Sequence, residues 1–313
     1  MYEDTNAAHQ LTSLLRLLAR GRHEWIILPG DVAVAVSYVE RNDPTALQVM
    51  AELARKASVR DAWGGVEHRV RKVTITKEHL ADDLSDLEQP AYLVVENELS
   101  DGAFLRSVCH VFAGDDVLGA LDAHHVELVH SGGANQMPKF AEARASRFRR
   151  TVRVALFLDS DRYLPGQETK SHRLAKEAAE LGVRTHVLSL REIENYVPNR
   201  VLSSLRPRGK FSALVDAVKQ LTPEQRGHLD MKYGFGHTGD GKAQAPHPKH
   251  EGLYDDLSPR VRDVLRTGFG RDLVRELEEM AENRALTVRD FGGEDSGTAQ
   301  ELRALLAMLR EII

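Results

Sequence analysis

The chain reads as an α/β protein centred on a mainly parallel four-stranded sheet flanked by helices. An N-terminal α/β unit is expected before the sheet and a helical C-terminal region after it. Three observations predict this. Short apolar strand segments alternate with helical ones from Pro90 to Pro198, acids fall where those strands end, and the pattern turns helical past Pro198. Such alternation is the pattern of right-handed crossovers within one parallel sheet. At 313 residues the chain is long enough for more than one domain. The pattern divides it into a scaffold or interaction domain at 1–88, a sheet domain at 89–200 and a mostly helical region at 201–313, the last containing a Gly/His-rich loop at 233–252.

In the first unit, leucines at helical spacing in NAAHQLTSLLRLLAR predict a helix, while EWIILP, VAVAVSYV and VRKVTIT predict strands. Asp43 and Pro44 supply an N-cap and a first-turn proline for a helix through LQVMAELARKA. The sheet domain begins with the strand YLVV (92–95) and the helix DGAFLRSVCHVF. The strand VELVH (126–130) ends in Gly132-Gly133 and is followed by the helix MPKFAEARASRF. Next come the strand VRVALFLD (152–159), the helix ETKSHRLAKEAAEL stopped at Gly182, and the strand VRTHVLSL. The final segment, TAQELRALLAMLREII, predicts an amphipathic helix packed on the body or on a partner.

Bulk properties exclude several classes. A net charge of −5 argues against a generally basic nucleic-acid coat. No apolar run approaches the roughly 20 residues that span a bilayer, and MYEDTNAAHQ lacks the regions of a signal peptide. The single cysteine, Cys109, excludes an internal disulfide and reads as a buried packing residue, so a reducing cytoplasm is the expected location. The charge is uneven, however. Arg144, Arg147, Arg149, Arg150 and Arg153 follow one another with no acid between. They are candidates for gripping phosphates, the alternative being a solvated helix end before a strand.

The chemistry concentrates in acids. In VALFLDSDR (154–162), Asp159 and Asp161 follow a fully apolar strand. On an extended strand they would project together, roughly 6.6 Å apart along the chain, and would repel unless a cation or water lay between them. Glu96 ends the first strand, Glu98 and Asp101 follow it, and Glu192 and Glu194 follow the fourth in SLREIENYVP. Carboxylates at the ends of three parallel strands are expected to converge on one edge. Hard oxygen donors in that number suit Mg2+ or Mn2+.

The order strand-Glu, strand, strand-Asp-x-Asp, strand-Glu resembles the Toprim domain of topoisomerases, primases, recombination proteins and OLD-family nucleases. LVVENELSD and VALFLDSD carry the likeness, and LSLREIENYVP resembles the acidic segment of OLD-type, defence-associated members. The likeness covers roughly residues 90–200. The family's glycine after the glutamate is Asn97 here, and the acid expected four residues on is Ser100, with Asp101 one place later and Glu98 as its rival.

The resemblance implies a two-metal endonuclease acting on DNA or RNA, as a prokaryotic effector of phage defence or DNA processing. On it, Glu96 would bind metal or act as general base, Asp159 and Asp161 would bind metal, and Glu194, with Glu192 as rival, would hold the second ion. Asp101 completes the candidate ligand set. OLD-type nucleases also use a downstream lysine near the scissile phosphate; Lys232 is preferred over Lys242. No ATPase is legible, so a separate regulatory protein such as an ATPase is the expected partner, beside DNA and a second copy of the chain.

Other signals are discounted. GHTGDGK (236–242) has phosphate-loop spacing but continues with Ala243. His237, His247 and His250 read as residues of a solvent loop rather than zinc ligands. Two other functions stay open. One is a phosphatase of the HAD type, which also ends a strand in Asp-x-Asp. The other is a catalytically weak Toprim-like subunit that needs its partner.

Overall fold

The computed structural model describes residues 8–63, 72–205, 209, 211–236 and 246–313. Its centre is one sheet of four parallel strands, β1 (Ala91–Val95), β2 (Val126–His130), β3 (Val154–Leu158) and β4 (Arg184–Val187), in the order β2-β1-β3-β4. Four helices precede it: α1 (Ala8–Ala19), α2 (Val32–Asn42), α3 (Leu47–Trp63) and α4 (Leu80–Glu88). Within the sheet region lie α5 (Glu98–Val111), α6 (Asp115–Asp122), α7 (Met137–Ala145) and α8 (Lys170–Glu180). Beyond it come α9 (Asn199–Ser204), α10 (Ser212–Val218), α11 (Pro223–His228), α12 (Pro259–Val264), α13 (Leu273–Glu282) and α14 (Gly297–Arg310). The α/β class, the parallel sheet and its flanking helices are as expected, an arrangement consistent with a Toprim-like fold.

The strand order explains the two layers. The chain steps from β1 to β2 in one direction, then crosses back over β1 to β3 and continues to β4. Right-handed crossovers running in opposite directions must place their helices on opposite faces. Accordingly Tyr92, Val94, Leu156 and Leu158 pack with α7 and α8 on one face. Leu93, Val95, Ala155 and Phe157, alternating with them along the strands, pack with α5, α13 and α14 on the other. Burial on both sides is why β1 and β3 read as unbroken apolar runs. Phe157 stacks on Phe104 of α5 at 6.0 Å between centroids, and Phe104 meets Tyr196 edge-on at 5.7 Å. Such pairs add about 0.5–1.5 kcal/mol each beyond the area they bury. Cys109 is fully buried in this layer, and α14 covers it as the terminal amphipathic pattern predicts.

The N-terminal unit differs from expectation: its described residues hold helices and no strand. VAVAVSYV forms most of α2 rather than a strand. The decisive spacing is the burial of Ala35, Tyr38 and Val39, one helical face, while Val34, next to Ala35 in sequence, stays exposed. EWIILP runs irregularly into a short 3-10 turn, and the described part of VRKVTIT finds no strand to pair with. A β-rich composition is insufficient without a neighbouring edge. Instead Leu11, Leu14, Leu18, Tyr38, Met50 and Leu80 build a separate helical core.

Candidate functional site

In a 2-1-3-4 sheet the chain reverses direction between β1 and β3, and ligands gather beyond the carboxyl ends of the strands at such a switch point. Glu96 follows β1 there, Asp159 follows β3, and the segment 189–196 follows β4.

Asn97 starts α5 as its N-cap, its side-chain oxygen accepting from the amides of Leu99 (3.0 Å) and Ser100 (3.3 Å). The Asn97 amide donates in return to Asp101 Oδ2 at 2.9 Å. Asparagine therefore starts the helix from extended backbone (φ −135°) with a capping bond, and no glycine is required at this position. Asp101 is buried and faces the other acids, while Glu98 is exposed at the first turn.

Past β3 the Asp159–Asp161 pair departs from the strand-based expectation. The chain turns at Asp161, which takes a left-handed φ of 54°, so the two side chains leave the period-two relation. Asp159 accepts from the Ile193 amide through Oδ1 at 3.1 Å. Asp161 is exposed and donates its amide to the Arg191 carbonyl at 3.0 Å. With Ser160 Oγ donating to the Leu190 carbonyl at 2.6 Å, the turn after β3 is tied to the segment after β4.

That segment is held from both ends. Glu192 accepts from the Met231 amide at 2.8 Å, and Asn195 donates to the carbonyls of Arg226 (2.7 Å) and Leu229 (2.9 Å). From α14, Glu301 accepts from the Ser189 amide and from the Tyr196 hydroxyl, each at 2.6 Å. Burial pushes the Glu301 carboxyl up, but the nearby His186 ring and the bonds from Tyr196 and Ser189 outweigh that and hold it below the ordinary range.

Lys232 stands among the acids. Its Nζ lies 3.1 Å from Glu194 Oε2 and 3.7 Å from Glu192 Oε2. Burial works against the ammonium, but Glu192, Glu194 and Asp159 together raise its pKa above the usual lysine value. Its backbone is pinned, because the Lys232 carbonyl accepts from the Gly270 amide at 3.0 Å. Gly268 packs so closely against the Lys232 main chain that a Cβ would overlap it.

Every acid of the group is shifted the same way. Glu96 and Asp161 are exposed at the rim, yet crowding by neighbouring atoms still removes enough water to raise both. Asp161 adds to the effect on Glu96, while Arg191 and Lys232 oppose it on Asp161. Burial first, and then Glu96 and Glu194, push Asp101 up to about 6 against the pull of the Asn97 bond. Burial followed by Glu194 pushes Glu192 up to about 8. Asp159 rises well above the carboxylate range through burial, Asp101 and Glu194. The acids drawn from three strand ends thus share one electrostatic environment.

Two members were not anticipated. Asp230 repels Asp161, Glu192 and Glu194, and lies 4.0 Å from Arg191 Nη2. Arg191 also covers the Tyr163 ring at 4.5 Å. Asp230 precedes Lys232 by two residues after an unremarkable short helix, so only its proximity to Lys232 could have drawn notice.

The arginine run is elsewhere. It leads into the amino end of β3, the edge opposite the acids. Arg149 pairs with Asp82 and Arg150 with Asp83, each at 2.7 Å, and the amides of Arg149, Arg150 and Thr151 donate to Asp86. Arg144 and Arg147 lie over the Tyr92 ring at 5.2 and 5.5 Å. Arg153 donates to the carbonyls of Ile312 and Ile313. Arg149 and Arg150 tie α4 to the body and Arg153 ties down the last residues, which matches the expected alternative of a helix end before a strand.

Lys242 and His237 lie outside the described residues, as does most of GHTGDGK. His250 is buried rather than in solvent: its Nδ1 meets the Tyr163 carbonyl at 3.0 Å, and burial pushes its pKa down to about 4.

The donor chemistry at the rim, carboxylate oxygens throughout, fits a hard divalent cation. Glu194 Oε2 is buried with no hydrogen bond, its neighbour being the Lys232 ammonium. Among the described residues no three His, Cys, Asp or Glu groups already converge to hold an ion. No described helix is long and apolar enough to cross a membrane. No family model, curated protein or solved structure matches the chain.

Proposed function

We propose that the protein is a Mg2+- or Mn2+-dependent nuclease of the Toprim type, hydrolysing phosphodiester bonds of DNA or RNA. One observation carries this reading: Glu96, Asp101, Asp159, Asp161, Glu192 and Glu194 follow three strand ends at the switch point of a parallel sheet, and each feels the charge of its neighbours there and of Lys232. Glu96, Asp159 and Asp161 would hold one ion with Asp101, and Glu192 and Glu194 a second. Bound divalent ions would supply an activated water and stabilise the leaving oxygen. Exposed at the rim, Glu96 can take a proton from water, and its raised pKa suits that task. Lys232 can offer its ammonium to a phosphate oxygen, and Asn97 keeps Asp101 oriented through the α5 cap.

Incubation of the purified chain with supercoiled plasmid and with RNA, in Mg2+, Mn2+ or EDTA, tests this. Cleavage that depends on the metal supports it. Release of phosphate from p-nitrophenyl phosphate without any strand cleavage would replace it with the phosphatase reading.

A second reading has its own support. The absence of three converged donors among the described residues, with Lys232 already neutralising Glu194, fits a subunit whose site completes only in a complex. Such a chain would be silent alone and gain cleavage on adding a partner ATPase.

A further inference from the structure

We propose that Lys232 is a tethered counter-cation, and that a divalent ion binds the carboxylate rim by displacing its ammonium from Glu194 and Glu192. This rests on the reading of the rim as a divalent-cation site and adds how that site is loaded.

Several observations support it. The ammonium sits 3.1 Å from an oxygen of Glu194 that has no hydrogen bond of its own, and 3.7 Å from Glu192, both residues being buried. Bringing like charges together in a low-dielectric setting is costly unless a cation offsets them, and at Glu194 and Glu192 the nearest cation is the ammonium of Lys232. A divalent ion brings twice that charge and binds oxygen directly, so it and the ammonium compete for the same carboxylates. The main chain of Lys232 cannot retreat, because Gly270 and Gly268 close on it. The four-carbon stem can, since its side chain is 24% exposed and has a way out to the rim. Loading would therefore converge the donors and free the ammonium for an incoming phosphate in one event. At Glu194 and Glu192 the place of a divalent ion is already taken by the ammonium.

The test uses the full chain and Mn2+ as the probe, followed by the loss of its free electron-paramagnetic signal. Lys232→Met removes the competing charge while keeping length and volume. Its Mn2+ affinity should rise about tenfold or more over the parent, and its melting temperature without metal should fall and be recovered by Mn2+. Lys232→Arg should bind Mn2+ no better than the parent. Equal or weaker Mn2+ binding by a folded Lys232→Met chain overturns the displacement, while leaving the rim a metal site. No Mn2+ binding by either chain overturns both readings. Labelling of Lys232 in the parent by an amine-reactive ester, read by mass spectrometry, is independent of the variant's folding. Labelling should increase when Mn2+ saturates the protein, and labelling that stays constant or decreases contradicts the proposal.

Discussion

Tyr196 donates its hydroxyl to Glu301 at 2.6 Å, joining residues 105 positions apart. The bond fastens the segment carrying Glu192 and Glu194 to the last helix, so the acids after β4 are held by a residue in the C-terminal region. Tyr196→Phe leaves a largely buried carboxylate one donor short, and the expected loss is about 1–3 kcal/mol in urea denaturation. Metal-dependent cleavage should fall with it, because the acidic segment loses its anchor. A variant as stable and active as the parent would show that the anchor is dispensable.

The acids themselves should separate function from folding. Asp159→Ala, Asp161→Ala and Glu96→Ala are each expected to reduce plasmid cleavage to background while circular dichroism stays unchanged. Asp159→Asn should raise the melting temperature of the metal-free chain, since it removes one of several mutually repelling groups. Undiminished cleavage by both aspartate variants would falsify the assigned site.

Acidity should act on the site with a definite sign. Asp101 and Glu192 titrate near about 6 and about 8, both above the ordinary carboxylate value. In the folded, metal-free state they retain protons that the unfolded chain has lost, so their contribution to stability is greatest at or below the unfolded pKa of about 4. It is lost as pH rises through about 6 and then about 8. Ligands must be deprotonated, so Mn2+ affinity should change the other way, rising up to about tenfold per pH unit for each proton released. Melting curves across this range, in EDTA and in Mn2+, measure both trends. A metal-induced rise in melting temperature that is constant with pH would contradict the assignment.

The arginine edge should prove structural. Arg150→Ala leaves the buried Asp83 carboxylate, both of whose oxygens accept from Arg150 Nη1, without that partner and is expected to cost about 1–3 kcal/mol of stability. The dependence of nucleic-acid binding on salt should stay that of the parent, because these arginines already hold Asp82, Asp83 and Asp86. A shallower salt slope in the variant would restore them to the interface.

The sheet and its acidic rim were legible because both follow from local rules. A strand buried on both faces must be an apolar run, parallel connections require helices between strands, and parallelism alone sends Glu96, Asp159 and the 189–196 segment to one edge. The N-terminal unit was misread for a related reason. VAVAVSYV satisfies a period of two in composition, and only the burial of Ala35, Tyr38 and Val39 against α1 and α3 reveals the helical period. The arginine run stayed open between two readings because a local cluster of positive charge does not reveal that the acids of α4, more than sixty positions earlier, will meet Arg149 and Arg150.

By itself, then, the sequence determined which carboxylates stand at the ends of which strands, since periodicity and chain direction are properties of neighbouring residues. Tertiary structure decided what else sits among them, and how the expected Lys232 is held there. Lys232 and Asp230 arrive from beyond α11, held by close backbone contacts at Gly268 and Gly270, and Asp161 turns aside through one left-handed residue. Coulomb energy depends on separation in space, and the long-range packing that sets this separation is written in no single stretch of the chain.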